Sequence, residues 1–403
     1  MSKKTGLNFL KAAVWLGVLL LGLFPAGVRA QEECTVGVAV ARATEDGRPL
    51  LWKNRDTSHS QNAVYLFRSG RFPFLGILNA GDTTQVWMGV NMAGFAIMNA
   101  EAKDVEGTCF DAEGFLMKRA LSQCATVADF ESLLVQTNAS GRAVTSNFGV
   151  IDAKGHGAFF ETGNHSFTRF DATDPALAPE GFLVRANFAF TGTKHGYGFQ
   201  RYGRAFRLFA RAVRERQLNA AYVSQMVSRD IFPEGQTWGE ASSFSVASQK
   251  IDTRRTINRY RTASAGIFQG VRKKENPCLT TFWVNLGEPV CGISVPLWVA
   301  SGSVPAALQG PGQPEINRLT RLLWRRIHPD TTKPFLLDVS TLQNAQATGI
   351  LQETLPVERE IDARTQKALA RWRKIGATPE EMTQLQNWAA QRAVRALRRI
   401  LSK

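Results

Sequence analysis

The stretch that decides the fold is Cys34-Thr35-Val36-Gly37-Val38-Ala39-Val40, answered after a polar interval by Leu50-Leu51-Trp52-Lys53-Asn54-Arg55-Asp56. Short apolar runs bounded by turn chemistry predict buried strands. Between them Glu45-Asp46-Gly47-Arg48 holds an Asp-Gly pair, a hairpin signal. Working outward, a second strand pair is predicted over residues 85–90 and 95–98, turning at Asn91-Met92-Ala93-Gly94. Helices are predicted near 115–121 and 127–135, then another hairpin over 148–151 and 158–160. Residues 201–231 carry a helical pattern with Phe206, Phe209, Ala210 and Val213 on one face, and strands return over 262–299. Strands, helices and strands again around one core predict an α+β layered fold rather than alternating βαβ units.

Beyond Gly302 the composition changes. Pro305, Gly310-Pro311-Gly312 and Pro314 form a linker-like stretch, and the remainder reads as helices. Thr378-Pro379-Glu380-Glu381 is a strong helix start, with a capping threonine, proline in the first turn and glutamate three positions on. The last helix sets Arg392, Arg395, Arg398 and Arg399 beside Leu385, Val394, Leu397 and Leu401. It is expected either to pack on its own domain or to meet an anionic membrane surface.

The chain of 403 residues is basic, with 49 Lys+Arg against 34 Asp+Glu and a net charge of +15. The positive charges are dispersed, and no finger spacing, RNP motif or Walker loop accompanies them, so no nucleic-acid partner is read from them. No glycine-rich phosphate loop joins a strand to a helix, which argues against a nucleotide enzyme. His59, His156, His165, His195 and His328 are scattered without paired ligand spacing, so no metal site is expected.

The N-terminus carries an address. Lys3 and Lys4 precede a charge-free apolar run over 12–24, Pro25-Ala26-Gly27 interrupt it, and Val28-Arg29-Ala30 offers small residues for a signal peptidase. The run is shorter than the ~20 residues that span a bilayer. Residues 1–30 are therefore read as a cleaved signal peptide, 31–33 as a short propeptide, and the mature protein as secreted or periplasmic. In an oxidising space cysteines tend to pair, and an odd count of five leaves one over. Cys278 and Cys291 flank a strand-turn-strand pattern, and Cys109 with Cys124 forms a second candidate bridge; the alternative is four buried thiols. The residue left over is Cys34.

If Gln31-Glu32-Glu33 is also removed, Cys34 carries a thiol and a free α-amine. The amine, with a pKa of about 7.7–8.0, is partly neutral and acts as a base. The thiol, near 8.5 when unperturbed, ionises beside a cation. One residue then supplies nucleophile and base, given neighbours that orient the amine and hold the oxyanion.

With Cys34-Thr35 opening one strand and Trp52-Lys53-Asn54-Arg55-Asp56 on the next, the chain resembles the choloylglycine hydrolase group. That group includes conjugated bile acid hydrolases and penicillin V acylases. The chain also resembles the related isopenicillin N acyltransferase family; both are N-terminal-nucleophile (Ntn) hydrolases. The resemblance continues through Gly89-Val90-Asn91-Met92-Ala93-Gly94-Phe95 to Asn99, and more weakly to Asn187, Arg201 and Arg261-Thr262-Ala263-Ser264. It implies a four-layer αββα Ntn domain over 34–300, followed over 301–403 by a linker and a helical C-terminal extension. It further implies Cys34 as nucleophile, Asp56 orienting its amine, Asn99 and Asn187 forming the oxyanion site, and Arg201 near the cysteine. Lys53 stands where the family has an arginine. Arg55, two residues along the strand, should share its face. No cofactor, a small-molecule amide substrate and a homo-oligomer are also implied. Hydrolysis of a linear, non-peptide amide is the leading expectation. Acyl transfer to an amine, and a non-catalytic envelope protein on the same scaffold, are the alternatives.

Overall fold

The computed structural model describes residues 33–109, 111–192, 196–232 and 250–403. The signal-peptide reading, Gln31-Glu32 and His195 lie outside the described residues. In chain order the strands are β1 (Thr35–Ala39), β2 (Leu50–Asp56), β3 (Asn62–Phe67), β4 (Phe74–Asn79), β5 (Met88–Asn91), β6 (Ala96–Glu101), β7 (Ser146–Ile151) and β8 (Gly157–Thr162). There follow β9 (Phe167–Asp171), β10 (Phe182–Arg185), β11 (Lys250–Asp252), β12 (Thr262–Gln269), β13 (Thr281–Leu286), β14 (Val295–Leu297) and β15 (Leu336–Asp338). The helices are α1 (Glu113–Gln123), α2 (Val127–Asn138), α3 (Phe199–Arg214), α4 (Ala220–Tyr222), α5 (Glu315–Ile327), α6 (Val339–Leu342), α7 (Ile350–Ile375) and α8 (Pro379–Leu401).

Sheet one runs β10-β1-β2-β12-β13-β14 and sheet two runs β3-β4-β5-β6-β7-β8-β9, with every pairing antiparallel. The sheets face one another, Val38 of β1 reaching Gly149 and Gly157 of sheet two. Helices α1 and α2 cover the outer face of sheet two, burying Leu121, Phe130 and Leu134 with Phe95, Phe148 and Phe160. On the far side α3 lies over sheet one, and Phe209 packs on Trp52 at 5.8 Å between ring centroids. Gly37 permits that approach, since a Cβ there would stand 2.9 Å from the Phe209 ring. Two antiparallel sheets between helical layers make the αββα arrangement, with the C-terminal helices present as expected.

Strand β2 is buried along its whole length although its second half reads Lys53-Asn54-Arg55-Asp56. The period of two sends Trp52 and Asn54 toward the helical side and Lys53 and Arg55 between the sheets. This polar half-strand, central in sheet one, is where the site sits.

The C-terminal helices pack at the β13–β14 edge of sheet one, with Trp298 edge-on to Trp372. Arg229 and Glu358 of α7, both buried, pair at 2.6 Å across that contact. In α8, Arg392 pairs with Glu360 at 2.8 Å, Arg398 with Glu315, and Arg399 lies 3.5 Å from Glu353. Three of the four terminal arginines thus have carboxylate partners within the fold.

Three expectations need correction. Neither predicted disulfide forms. Cys278 and Cys291 lie beyond opposite ends of the six-residue β13, a span of roughly 20 Å. Cys109 and Cys124 lie beyond opposite ends of α1, eleven residues and roughly 16 Å long. A disulfide requires Cα atoms within ~7 Å. The helix over 201–231 is also not continuous. It ends at Arg214, Arg216 turns through φ 54°, and a short α4 and π-turn follow. Finally, β3, β4, β9 and β10 are additional strands of the two sheets.

Candidate active site

Cys34 precedes β1 and is buried. The β1–β2 ladder sets Thr35 opposite Asn54 and Val36 opposite Lys53. One rung further, the Glu33 N–H donates to the Asp56 carbonyl at 3.0 Å, which sets Cys34 across from Arg55. Residues directly opposed on a ladder present their side chains to the same face. Cys34 therefore shares the inter-sheet face with Arg55 and Lys53. Lys53 Nζ donates to Asn99 Oδ1 at 2.6 Å and to the Trp87 carbonyl at 3.1 Å. The Asn99 amide in turn donates to Ser146 Oγ at 3.2 Å. Arg55 bonds Asn62 and Asn79 and lies over the Trp87 ring, 4.5 Å from its centroid. Two cations thus occupy the face that carries the Cys34 side chain.

The other face of the same strand ends carries the second half of the site. Arg201, in the first turn of α3, donates to the Cys34 carbonyl at 2.6 Å and to Thr35 Oγ1 at 3.0 Å. Its other nitrogen donates to Asn187 Oδ1 at 2.8 Å, and the Asn187 amide donates to the Glu101 carbonyl at 2.9 Å. Asn147 of β7 grips the loop that presents Asn187, donating to the carbonyls of Ala186 and Phe188. Arg204, one turn along α3, is fixed by a two-pronged pair with Asp230 at 3.0 and 2.6 Å.

Asp56 closes β2 and is 1% exposed. Its Oδ1 accepts from Thr262 Oγ1 at 2.6 Å. Its Oδ2 has no hydrogen-bond partner among the described residues, although Arg259 and Arg201 stand 3.6 and 4.0 Å away. Burial pushes the Asp56 carboxyl up to about 6, against the opposing pull of Arg259, Arg201 and the Thr262 bond. For Arg201 burial depresses the pKa, and the neighbouring Arg259 depresses it further.

The site therefore gathers Cys34, Lys53, Asp56, Asn99, Asn187 and Arg201 around the open ends of β1 and β2. Arg259 was missed. It lies three residues before β12 and reaches Asp56 because β12 pairs with β2, Thr262 opposite Asp56. Its sequence neighbourhood, Arg254, Arg255, Arg259 and Arg261, offers no local sign of which arginine turns inward. The nearby Thr262 lies inside the stretch Arg261-Thr262-Ala263-Ser264.

The sequence matches the family described as acyl-coenzyme A:6-aminopenicillanic acid acyl-transferase over residues 42–250, just over half of the chain. No curated protein matches it significantly. Among solved structures, the chain is similar to an N-acylethanolamine-hydrolyzing acid amidase ortholog of Caenorhabditis elegans, at 15% identity over 60% of this chain and 93% of that one, with a TM-score of 0.39. It is similar to a variant of the conjugated bile acid hydrolase of Clostridium perfringens, at 13% identity over 62% and 89%, TM-score 0.40. The penicillin V acylase of Agrobacterium tumefaciens gives 14% identity over 66% and 86%, TM-score 0.41. At such values they say nothing of this chain's substrate.

Proposed function

Because the chain belongs to the acyl-coenzyme A:6-aminopenicillanic acid acyl-transferase family, an Ntn family, we propose that it is an exported amide hydrolase whose mature form begins at Cys34. The observation that carries this reading is Asp56. A buried carboxylate with one oxygen unsatisfied is costly. The Asp56 backbone carbonyl accepts from the Glu33 N–H, and Arg201 Nη1 stands between the free oxygen, at 4.0 Å, and the Cys34 carbonyl, at 2.6 Å. Cleavage of the Glu33–Cys34 peptide creates an α-ammonium at this end of the strand, a cation suited to that oxygen. The pairing then holds the amine close to its own thiol.

In this reading the Cys34 thiolate first attacks the Glu33 carbonyl, the peptide C–N bond breaks as the thioester forms, and water resolves that thioester, leaving the free amine. On substrate, the amine takes the thiol proton as Sγ adds to the amide carbonyl. Asn99 and Asn187 are proposed to stabilise the oxyanion, Lys53 and Arg55 to favour the thiolate, and Arg201 to fix the Cys34 carbonyl. The amine product leaves with the proton, and water cleaves the acyl-enzyme. The acyl-transferase description of the matched family supports a second outcome, in which an amine replaces that water.

Intact mass and N-terminal sequencing of the purified protein are expected to show a chain starting at Cys34. A thiol-directed acyl probe is expected to label it, and Cys34→Ala to abolish the labelling. Full activity in protein that retains Glu33 rejects the mechanism. Product analysis with and without an added amine separates hydrolysis from transfer.

A further inference from the structure

Self-cleavage makes the chain its own first substrate, and the surroundings of Glu33 then show what an acyl group meets in this site. Glu33 supplies the acyl half of the Glu33–Cys34 bond, and its side chain is largely enclosed, 26% exposed. The carboxylate bonds Arg259 Nη1 and lies 3.7 Å from Lys103 Nζ. Burial alone raises the Glu33 pKa, but Arg259, then Arg201 and Lys103, outweigh it and hold the carboxyl below its ordinary range. Lys103 is steadied over the Tyr197 ring, 5.3 Å from its centroid.

Glu33 does not fill the space it enters. It borders a cavity of about 710 Å³ whose walls include Asn187, Tyr197, Arg201, Arg254, Arg255 and Arg259. The other carboxylate among the described wall residues, Asp252, is held by Arg254 at 3.0 Å. Arg259 is 6% exposed, and its Nε has no hydrogen-bond partner among the described residues. Once Glu33 departs, Arg259 and Lys103 lose the carboxylate they share, and the wall keeps an excess of positive charge, joined to the Cys34 backbone through the bond from Arg201 to its carbonyl.

We propose that the mature site selects amides whose acyl group bears a carboxylate three carbons from the scissile carbonyl, a glutaryl-type acid, with Arg259 and Lys103 as the specificity-determining cations. A glutaryl group is the Glu33 acyl unit without its nitrogen. The inference rests on the Cys34 reading above. Sγ adds to the glutaryl carbonyl carbon and the C–N bond breaks. The amine leaves with the proton that the Cys34 α-amine drew from the thiol. Water then cleaves the thioester, releasing the dicarboxylate and restoring the thiol.

The test uses processed full-length protein and three 4-nitroanilides, glutaryl, 4-carbamoylbutanoyl and pentanoyl. The first two have nearly the same shape and differ in charge. The glutaryl amide is expected to exceed the carbamoyl one in kcat/KM by about tenfold to a hundredfold, the usual worth of a charge-assisted contact. Lys103→Glu is expected to erase that ratio and Lys103→Arg to restore it. Equal or faster turnover of the uncharged amides overturns the inference and leaves the hydrolase reading standing. Absence of release from the glutaryl amide overturns it whatever the others do. A purified chain that does not begin at Cys34 overturns the reading beneath it as well.

Discussion

Two carboxylates in this protein are buried almost alike and behave in opposite ways. Glu358, 2% exposed, accepts from Ser224 Oγ and Arg229 Nη1 on one oxygen, and from Arg229 Nη2 and the Ser294 N–H on the other. Burial raises its pKa, but Arg229 and these bonds outweigh it and the net shift is downward. Asp56, 1% exposed, has two arginines nearby yet a single hydrogen bond, and its pKa rises to about 6. Nearby charge alone does not offset desolvation; directed donors do. The completed cluster is a structural clamp; the incomplete one is, in the proposed mechanism, the receptor for the α-ammonium of Cys34.

The contrast can be broken at four points. Cys34→Ala removes the nucleophile, so amide turnover is expected to fall to background, about 10⁴-fold or more. Intact mass should show Glu33 retained and circular dichroism an unchanged fold. Asp56→Asn keeps the shape but loses the charge for the amine. Turnover is expected to drop by about 10²–10³-fold, and equal kcat with wild type would mean that the orphan oxygen has no role. Glu358→Gln acts on the other cluster. It leaves Arg229 without its counter-charge and is expected to cost about 3 kcal/mol in urea unfolding, while turnover per folded molecule stays near wild type.

The fourth point is pH, where the two clusters carry opposite signs. The raised Asp56 pKa means that its stabilising contribution is full below about pH 4 and lost as pH rises through about 6. The loss reaches at most about 3 kcal/mol, at about 1.4 kcal/mol for each decade of proton affinity. The lowered Glu358 pKa gives a contribution present above its ordinary value near 4.5 and lost as pH falls through its folded value. Urea midpoints of unprocessed Cys34→Ala protein across pH 3–8 should therefore flatten between pH 4 and 6.5 when Asp56→Asn is added. They should flatten on the acid side with Glu358→Gln. The same slope in both double variants would show the clusters to be equivalent.

What the sequence disclosed follows from how local each signal is. The β1–β2 hairpin was legible because its apolar runs and the Asp-Gly turn are contiguous, and Lys53 and Asp56 came with it. β9 was not legible because it is partly exposed along its length, and β10 because four residues carry too little periodicity. Arg259 could not be found from its own neighbourhood, since its place is set by the pairing of β12 with β2. The cysteine pairs failed for a related reason. Closeness in sequence suggested bridges, but a strand and a helix between the partners act as rigid spacers.

The hydrogen bond from Thr262 to Asp56 spans 206 positions of the chain. At roughly 5–20 residues per second, synthesis takes about ten seconds or longer to pass from one to the other. Throughout that interval Cys34 is already made, but the strand that supports Asp56 is not. Place in the sheet is thereby also a delay in time: the surroundings of Asp56 are not complete until Thr262 and its strand exist.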